Sequence, residues 1–113
     1  MKGLVYILQN PAMQGFLKIG VTTDINQRLS SLYTTGVPLP FAVAFQKEIL
    51  DSYNIESKIF EKLNYCRATD AREFFIIDVD SAITVIEEAC EQIEGAYVDD
   101  DLDKYYNVWT CPD

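Results

Sequence analysis

Leu4-Val5-Tyr6-Ile7 and Lys18-Ile19-Gly20 are two short runs in which β-branched and aromatic residues dominate, and such runs predict β-strands. The segment between them, Asn10-Pro11-Ala12-Met13-Gln14-Gly15, is rich in turn-forming residues. We therefore predict an antiparallel hairpin, in which Tyr6 and Lys18 lie close together on neighbouring strands.

The segment after the hairpin predicts a helix. Asp24 has the position of an N-cap, and Gln27 three residues later completes a capping box. Apolar residues then recur at helical spacing and define one face: Ile25, Leu29, Leu32 and Tyr33. Gly36 is the expected end of the helix. On a helical wheel of about 100° per residue, Arg28 falls at the edge of the apolar face, so we expect it to point towards the sheet.

Four further elements are predicted after this helix. Residues 41–50 predict a third strand, on one face of which Phe41, Val43 and Phe45 alternate. Residues 74–77 predict a buried strand because all four are apolar. Between these strands, Asp51-Ser52 caps a second helix that runs through about Leu63. After the second of these strands, Asp80-Ser81 caps a third helix, which Gly95 is expected to end. Its expected inward residues are Ala82, Ile83, Ile86, Ala89, Cys90 and Ile93, and its expected solvated residues are Glu87, Glu88, Glu91 and Glu94.

The most informative anomaly of the second helix is Glu56. It falls within an apolar stripe formed by Ile55, Ile59, Phe60 and Leu63. A carboxylate on the core-facing side of a helix needs a partner, because an unpaired buried charge is very costly. That partner is either a cation of the protein, such as Arg28, or a bound metal ion.

The net charge of −9 is concentrated in the last third of the chain. Residues 1–80 contain eight Lys/Arg and nine Asp/Glu, whereas residues 81–113 contain one lysine and nine acids. Such acidity disfavours strong nonspecific binding to nucleic acid, which depends on phosphate contacts, but it is compatible with a nuclease that has a local basic cleft. We predict a domain at 1–95 and an acidic, aromatic tail at 96–113, which is a candidate surface for a protein partner or a mimic of nucleic acid over the cleft.

The chain contains no histidine and three widely spaced cysteines, Cys66, Cys90 and Cys111. The absence of histidine removes the commonest zinc ligand and general base, so carboxylates, Tyr, Lys and Arg remain for chemistry. The odd number and the spacing of the cysteines predict free thiols in a reducing compartment, and we expect a cytoplasmic protein. No apolar run approaches the roughly 18 residues of a membrane span, so no membrane segment is predicted.

Several short motifs follow one another in a specific order and spacing. They are Val5-Tyr6-Ile7, Lys18-Ile19-Gly20-Val21-Thr22 with Asp24 and Arg28 after it, and the helical Glu56 before Glu73-Phe74-Phe75. This order resembles the GIY-YIG nuclease superfamily, in particular a small branch of phage and bacterial proteins whose second motif often reads Lys-Ile-Gly. The similarity covers residues 3–77. It implies an α/β fold with a small three-stranded antiparallel sheet flanked by helices.

The resemblance also implies hydrolysis of phosphodiester bonds in DNA with one divalent metal ion, Mg²⁺ or Mn²⁺. By position, Tyr6 is the tyrosine of the first motif, Lys18 stands where the second motif usually has tyrosine, Arg28 is the arginine of the helix, and Glu56 is the metal ligand. Glu56 offers a hard oxygen to the metal, and Arg28 can bind a phosphate with two parallel hydrogen bonds. Tyr6 or Lys18 could accept the proton of the attacking water if its pKa is lowered well below about 10.

Four further residues are assigned more weakly. Thr22 could donate a hydrogen bond to the phosphate. Arg67 and Arg72 are either loop-surface residues or contacts to the DNA backbone. Glu73 is expected at a strand edge, with a second metal ligand as the less favoured alternative.

Two departures from the pattern keep a second interpretation open. Lys18 replaces tyrosine, and Phe60 stands four residues after Glu56, where this branch often has histidine. The alternative is a catalytically inactive module on the same fold that binds nucleic acid or a protein partner. In that case Arg28 and Glu56 would form a structural ion pair.

Overall fold

A computed structural model describes residues 2–68 and 73–109 of the chain, with side chains as far as residue 95. Its elements in chain order are β1 (Gly3–Gln9), β2 (Leu17–Thr22), α1 (Ile25–Leu32), β3 (Ala42–Ile49), α2 (Ser52–Leu63), a short 3₁₀ turn (Asn64–Cys66), β4 (Phe74–Phe75) and α3 (Val79–Trp109). The predicted α/β class is therefore confirmed.

All strand pairs are antiparallel, and the strand order in the sheet is β3-β1-β2-β4. The sheet has four strands rather than three, because the two residues of β4 pair with the start of β2. The predicted hairpin is present: Tyr6 pairs with Gly20 and Leu8 pairs with Lys18. Tyr6 and Lys18 are thus diagonal neighbours on one face of the sheet. Gly15 closes the turn with a φ of 88°, a conformation that favours glycine.

The two faces of the sheet bury different clusters. The larger core lies where α2 and α3 pack, and its buried members include Val5, Ile7, Ile19 and Phe75. The predicted inward residues of α2 and α3 all belong to this core or pack against it. On the other face, Tyr6, Leu8 and Phe41 form a smaller cluster that Ile25, Leu29 and Leu32 of α1 cover. Helix α1 therefore lies over the face that carries Tyr6.

The predicted alternation of β3 is wrong. The pairing of β1 with β3 shifts between Ile7, which faces Phe45, and Leu8, which faces Val43. This irregularity leaves an extra residue in β3 and interrupts the period of two. As a result, Phe41 joins the smaller cluster while Phe45 packs against the larger core, and Val43 is 39% exposed.

Both glycine stop signals of the sequence are also wrong as helix ends. Helix α1 ends at Leu32, four residues before Gly36, and a turn closed by Val37 N–H on the Thr34 carbonyl follows it. Helix α3 continues through Gly95 to Trp109, across the predicted boundary at residue 95. A single glycine costs a helix only about 1 kcal/mol relative to alanine, so it does not end a helix by itself. The division into domain and tail stays a prediction.

The start of α3 differs by two residues from the predicted cap. Asp78, rather than Asp80-Ser81, precedes the helix, and its carboxylate accepts the backbone N–H of Ser81 at 2.9 Å.

Of the three cysteines, Cys66 and Cys90 are free thiols, and Cys111 lies outside the described residues. In the part of the chain that the structure describes, no helix is both long and apolar enough to cross a membrane.

Candidate active site

Tyr6 and Arg28 meet between the sheet and α1. Tyr6 is fully buried in β1, and Arg28 lies in the first turn of α1. The start of α1 is fixed as predicted, because the carboxylate of Asp24 accepts the backbone N–H of Gln27 at 3.1 Å. From that turn, the Nε–H of Arg28 donates a hydrogen bond of 3.0 Å to the hydroxyl oxygen of Tyr6. The expectation that Arg28 points towards the sheet is confirmed.

Glu73 joins this pair to Lys18. Its Oε1 atom lies 3.6 Å from Nζ of Lys18 and 3.6 Å from Nη2 of Arg28. The backbone of Glu73 is tied to β2, since its carbonyl accepts the N–H of Ile19 at 3.0 Å. The ammonium of Lys18 also lies 4.8 Å from the centre of the Phe74 ring, a cation–π contact. One carboxylate oxygen therefore faces two cations on the face of the sheet that α1 covers.

Gly20 makes room for this arrangement. A Cβ atom at that position would lie 2.7 Å from the Tyr6 hydroxyl oxygen and 3.0 Å from Oε1 of Glu73. Both atoms therefore occupy the space that a side chain would fill. The glycine of the Lys-Ile-Gly motif is required here by close approach.

Glu56 is half-buried and acts electrostatically on the same groups. Burial raises the pKa of its carboxyl, the negative charge of Glu73 raises it further, and Arg28 opposes the shift. Among the residues that the structure describes, Glu56 forms no ion pair within 4.0 Å, and Arg28 pairs with Glu73 instead. Arg28, one of the two alternative partners considered for Glu56, therefore forms no ion pair with it.

Tyr6 is held in its neutral form. Burial raises the pKa of the phenol, and the charges of Glu73 and Glu56 add to this effect, against the hydrogen bond and positive charge of Arg28. The same hydrogen bond to Tyr6 raises the pKa of Arg28. A general base would need a lowered pKa, so the raised pKa of Tyr6 does not suit that role.

The weaker substrate-contact residues have local partners. The hydroxyl of Thr22 accepts the N–H of Asp24 at 3.2 Å and donates to the carbonyl of Asp24 at 3.3 Å, so it closes the turn into α1. The guanidinium of Arg67 lies 4.8 Å from the centre of the Phe60 ring and 5.8 Å from that of Phe75. Arg67 is thus stacked on aromatic rings at the end of α2. Arg72 lies outside the described residues.

Glu73 is the site residue that sequence reasoning undervalued. Its position directly before Phe74-Phe75 suggested a strand edge, and it does precede the edge strand β4. The usable signal was the strand order: once β4 is placed beside β2, a residue at its start must lie near Lys18. That order was not available from local patterns.

The carboxylates are the side chains of this site that suit a hard divalent cation as ligands. Within the described residues there is no group of three or more acidic or thiol side chains that could hold a metal ion. Glu56 fits the ligand role, because it is half-buried, has no ion-pair partner there and offers a hard oxygen. Mg²⁺ commonly binds through one or two carboxylates and fills its other positions with water and phosphate oxygens.

In a comparison with known families, the profile of the T5orf172 domain matches residues 3–90 of this chain. This phage-associated domain is nuclease-related. Comparison with curated proteins finds no match, and comparison with solved structures finds none. The matched range contains every residue of the site described above.

Proposed function

The chain belongs to the T5orf172 domain family, and we propose that it is an endonuclease-like domain of the GIY-YIG type that hydrolyses phosphodiester bonds of DNA with a divalent metal ion. The observation that carries the proposal is the convergence of Tyr6, Lys18, Arg28 and Glu73 above Gly20, with Glu56 close enough to shift the pKa of Tyr6. Buried charges and a desolvated phenol in one place are typical of functional sites.

Arg28 is the proposed phosphate ligand. Among the described residues, its two polar contacts use Nε and Nη2, which leaves the other N–H groups of the guanidinium available to a phosphate oxygen. Arginine is suited to this task because its planar fork matches phosphate geometry. A guanidinium fixed at two points loses little freedom when it binds.

Glu56 is the proposed metal ligand. A Mg²⁺ or Mn²⁺ ion held there would supply Lewis acidity for deprotonating the attacking water and charge compensation at the phosphate. Burial and the negative charge of Glu73 raise the pKa of Glu56, and a bound cation would supply the positive charge that stabilises its carboxylate form.

Tyr6 and Lys18 take roles other than general base in this proposal. Tyr6 accepts a hydrogen bond from Arg28, and its own O–H can donate to a phosphate or leaving-group oxygen. The ammonium of Lys18 lies 3.6 Å from Oε1 of Glu73, and its positive charge offsets negative charge near the phosphate. The alternative function is a catalytically inactive binding module, which would use the same cations only to bind nucleic acid or a protein partner.

The test is cleavage of labelled single-stranded, duplex and branched DNA with Mg²⁺ or Mn²⁺, and with a chelator. We expect metal-dependent cleavage by the wild type and a rate at least about 100-fold lower for Arg28→Ala, the size of effect that loss of one charge-stabilising donor produces. Lys58→Ala removes a cation that pairs with Glu61 on the surface, and it should cleave like the wild type. DNA binding without cleavage would instead support the binding module.

A further inference from the structure

We propose that Glu73 is a positioning residue of this site: its carboxylate holds the ammonium of Lys18 and the guanidinium of Arg28 so that both cations face one phosphate. The role deepens the proposed nuclease function and rests on it. Neither the family match nor the metal-ligand role of Glu56 assigns it.

The first argument is the geometry of the shared oxygen. Oε1 of Glu73 lies at the same distance, 3.6 Å, from the charged ends of Lys18 and Arg28. These two residues come from different elements, β2 and α1, and Glu73 comes from a third, beside β4. A single carboxylate therefore links three elements at the point where the site is formed.

The second argument is that this oxygen is buried without a hydrogen bond. Among the described residues, Oε1 of Glu73 has no hydrogen-bond donor, although it is inaccessible to solvent. A buried acceptor without a donor is destabilising, so electrostatic attraction to the two cations must hold it in place. Lys18 in turn is 7% exposed, and a buried ammonium needs a compensating charge.

The third argument concerns the orientation of Arg28. Its guanidinium is anchored at Nε by the Tyr6 hydroxyl and at Nη2 by Glu73. The hydrogen bond at Nε and the ion pair at Nη2 together restrict rotation of the fork, whereas the hydrogen bond alone allows it. Without Glu73, Arg28 would keep its charge but lose the fixed direction that bidentate phosphate binding requires.

The first measurement needs no enzymatic activity. Hydrogen exchange of the Arg28 Nε–H is followed by ¹⁵N NMR, and its signal among the three arginines is assigned by its loss in Arg28→Lys. We expect exchange to accelerate about 10-fold in Glu73→Gln, as for loss of one charge-assisted interaction. Glu61→Gln, the same change at a carboxylate whose side chain is 73% exposed, should leave the exchange unchanged. Unchanged exchange in Glu73→Gln would overturn the proposal.

Two further variants separate positioning from folding. Lys18→Met/Glu73→Gln removes both charges of this ion pair and should recover the folded fraction lost in Glu73→Gln, while Arg28 exchange stays fast. Glu73→Asp keeps the charge but shortens the side chain, and it should give intermediate exchange if Glu73→Gln does not fold. Recovery of slow exchange in the double variant would mean that Glu73 acts only on stability.

The second measurement uses single-turnover DNA cleavage with Mn²⁺. Glu73→Gln should lower the rate about 10- to 100-fold, the range found when partners that orient metal ligands are removed, with little change in DNA affinity. Faster cleavage or tighter DNA binding would overturn the proposal, because Glu73 would then act as a competitor of the phosphate. If the wild type does not cleave but Arg28 exchange responds to Glu73→Gln, the nuclease function fails while the positioning role stands. If the wild type cleaves DNA but Arg28 exchange does not respond to Glu73→Gln, only the positioning role is rejected.

Discussion

The Nε–H of Arg28 donates a 3.0 Å hydrogen bond to the hydroxyl oxygen of Tyr6, a residue 22 positions earlier in the chain. The bond joins the first strand of the sheet to the first turn of α1 and leaves the O–H of Tyr6 beside Gly20. Since burial raises the pKa of Tyr6, the phenol keeps its proton and can act as a hydrogen-bond donor in the proposed reaction. The predictions below follow from this pair and from the residues around it.

Tyr6→Phe removes the hydroxyl while keeping the buried ring. We expect the free energy of unfolding to fall by about 1–2 kcal/mol through loss of the bond with Arg28. We expect the cleavage rate to fall about 100-fold or more, since a positioned proton donor contributes that much. Chemical denaturation and single-turnover kinetics measure the two effects. Tyr65→Phe, at a residue 79% exposed, is the control, and equal rates for both variants would contradict the role of Tyr6.

Gly20→Ala places a Cβ atom 2.7 Å from the hydroxyl oxygen of the immobile Tyr6 ring. We expect a loss of about 1–3 kcal/mol in the free energy of unfolding, the usual cost of overpacking, together with a displaced Tyr6. Gly36→Ala is the matched control, because a Cβ atom there meets nothing within 4 Å. Thermal unfolding of both variants tests this, and a Gly20→Ala protein as stable as Gly36→Ala would refute the close approach.

Glu56→Gln should stabilise the protein at neutral pH. The folded-state pKa of Glu56 is raised above its ordinary value of 4.5, so the charged form is less favourable in the folded protein than in the unfolded chain. The advantage of the variant should shrink as the pH falls through the raised pKa and vanish below about 4.5. Melting temperatures between pH 3 and 8, about the span that this titration covers, measure it.

The same variant separates the two accounts of Glu56. If Glu56 is a metal ligand, Mn²⁺ should raise the melting temperature of the wild type but not that of Glu56→Gln, because a bound ion stabilises only the state that binds it. If Glu56 instead forms a structural ion pair, Glu56→Gln should be less stable than the wild type in the absence of metal.

Glu94 joins α3 to the turn between β3 and α2. Its Oε2 atom accepts the backbone N–H of Asp51 at 2.8 Å and that of Leu50. We expect Glu94→Ala to cost about 1 kcal/mol in the free energy of unfolding, because two backbone donors lose a charged acceptor. Glu87→Ala, an exposed position on the same helix, controls for the change in helix propensity. Equal midpoints in urea for the two variants would contradict the account.

The parts of the fold that local patterns determine were predictable. The hairpin, the cap of α1 by Asp24 and the buried faces of α2 and α3 follow from propensity and periodicity, and the structure confirms each. The convergence of Tyr6, Lys18 and Arg28 was predictable as well, because hairpin pairing and the helical wheel place all three on one side of the sheet.

The parts that depend on contacts between distant segments were not predictable. The irregular pairing of β3 depends on how β1 and β3 match over their whole length, so Phe45 was placed with Phe41. Glu94 was predicted as solvated, since nothing near it in the sequence shows that this part of α3 lies beside Leu50. Glu73 was undervalued for the same reason: its partners come from β2 and α1.

The most direct test of the central claim is the single-turnover rate of DNA cleavage by Glu56→Gln relative to the wild type in Mn²⁺, at matched folded fraction. Because this variant is expected to be at least as stable as the wild type, loss of activity cannot be attributed to unfolding. A rate at least about 100-fold lower, as expected for loss of transition-state charge stabilisation, supports a metal-dependent nuclease centred on Glu56. Cleavage at the wild-type rate would contradict it.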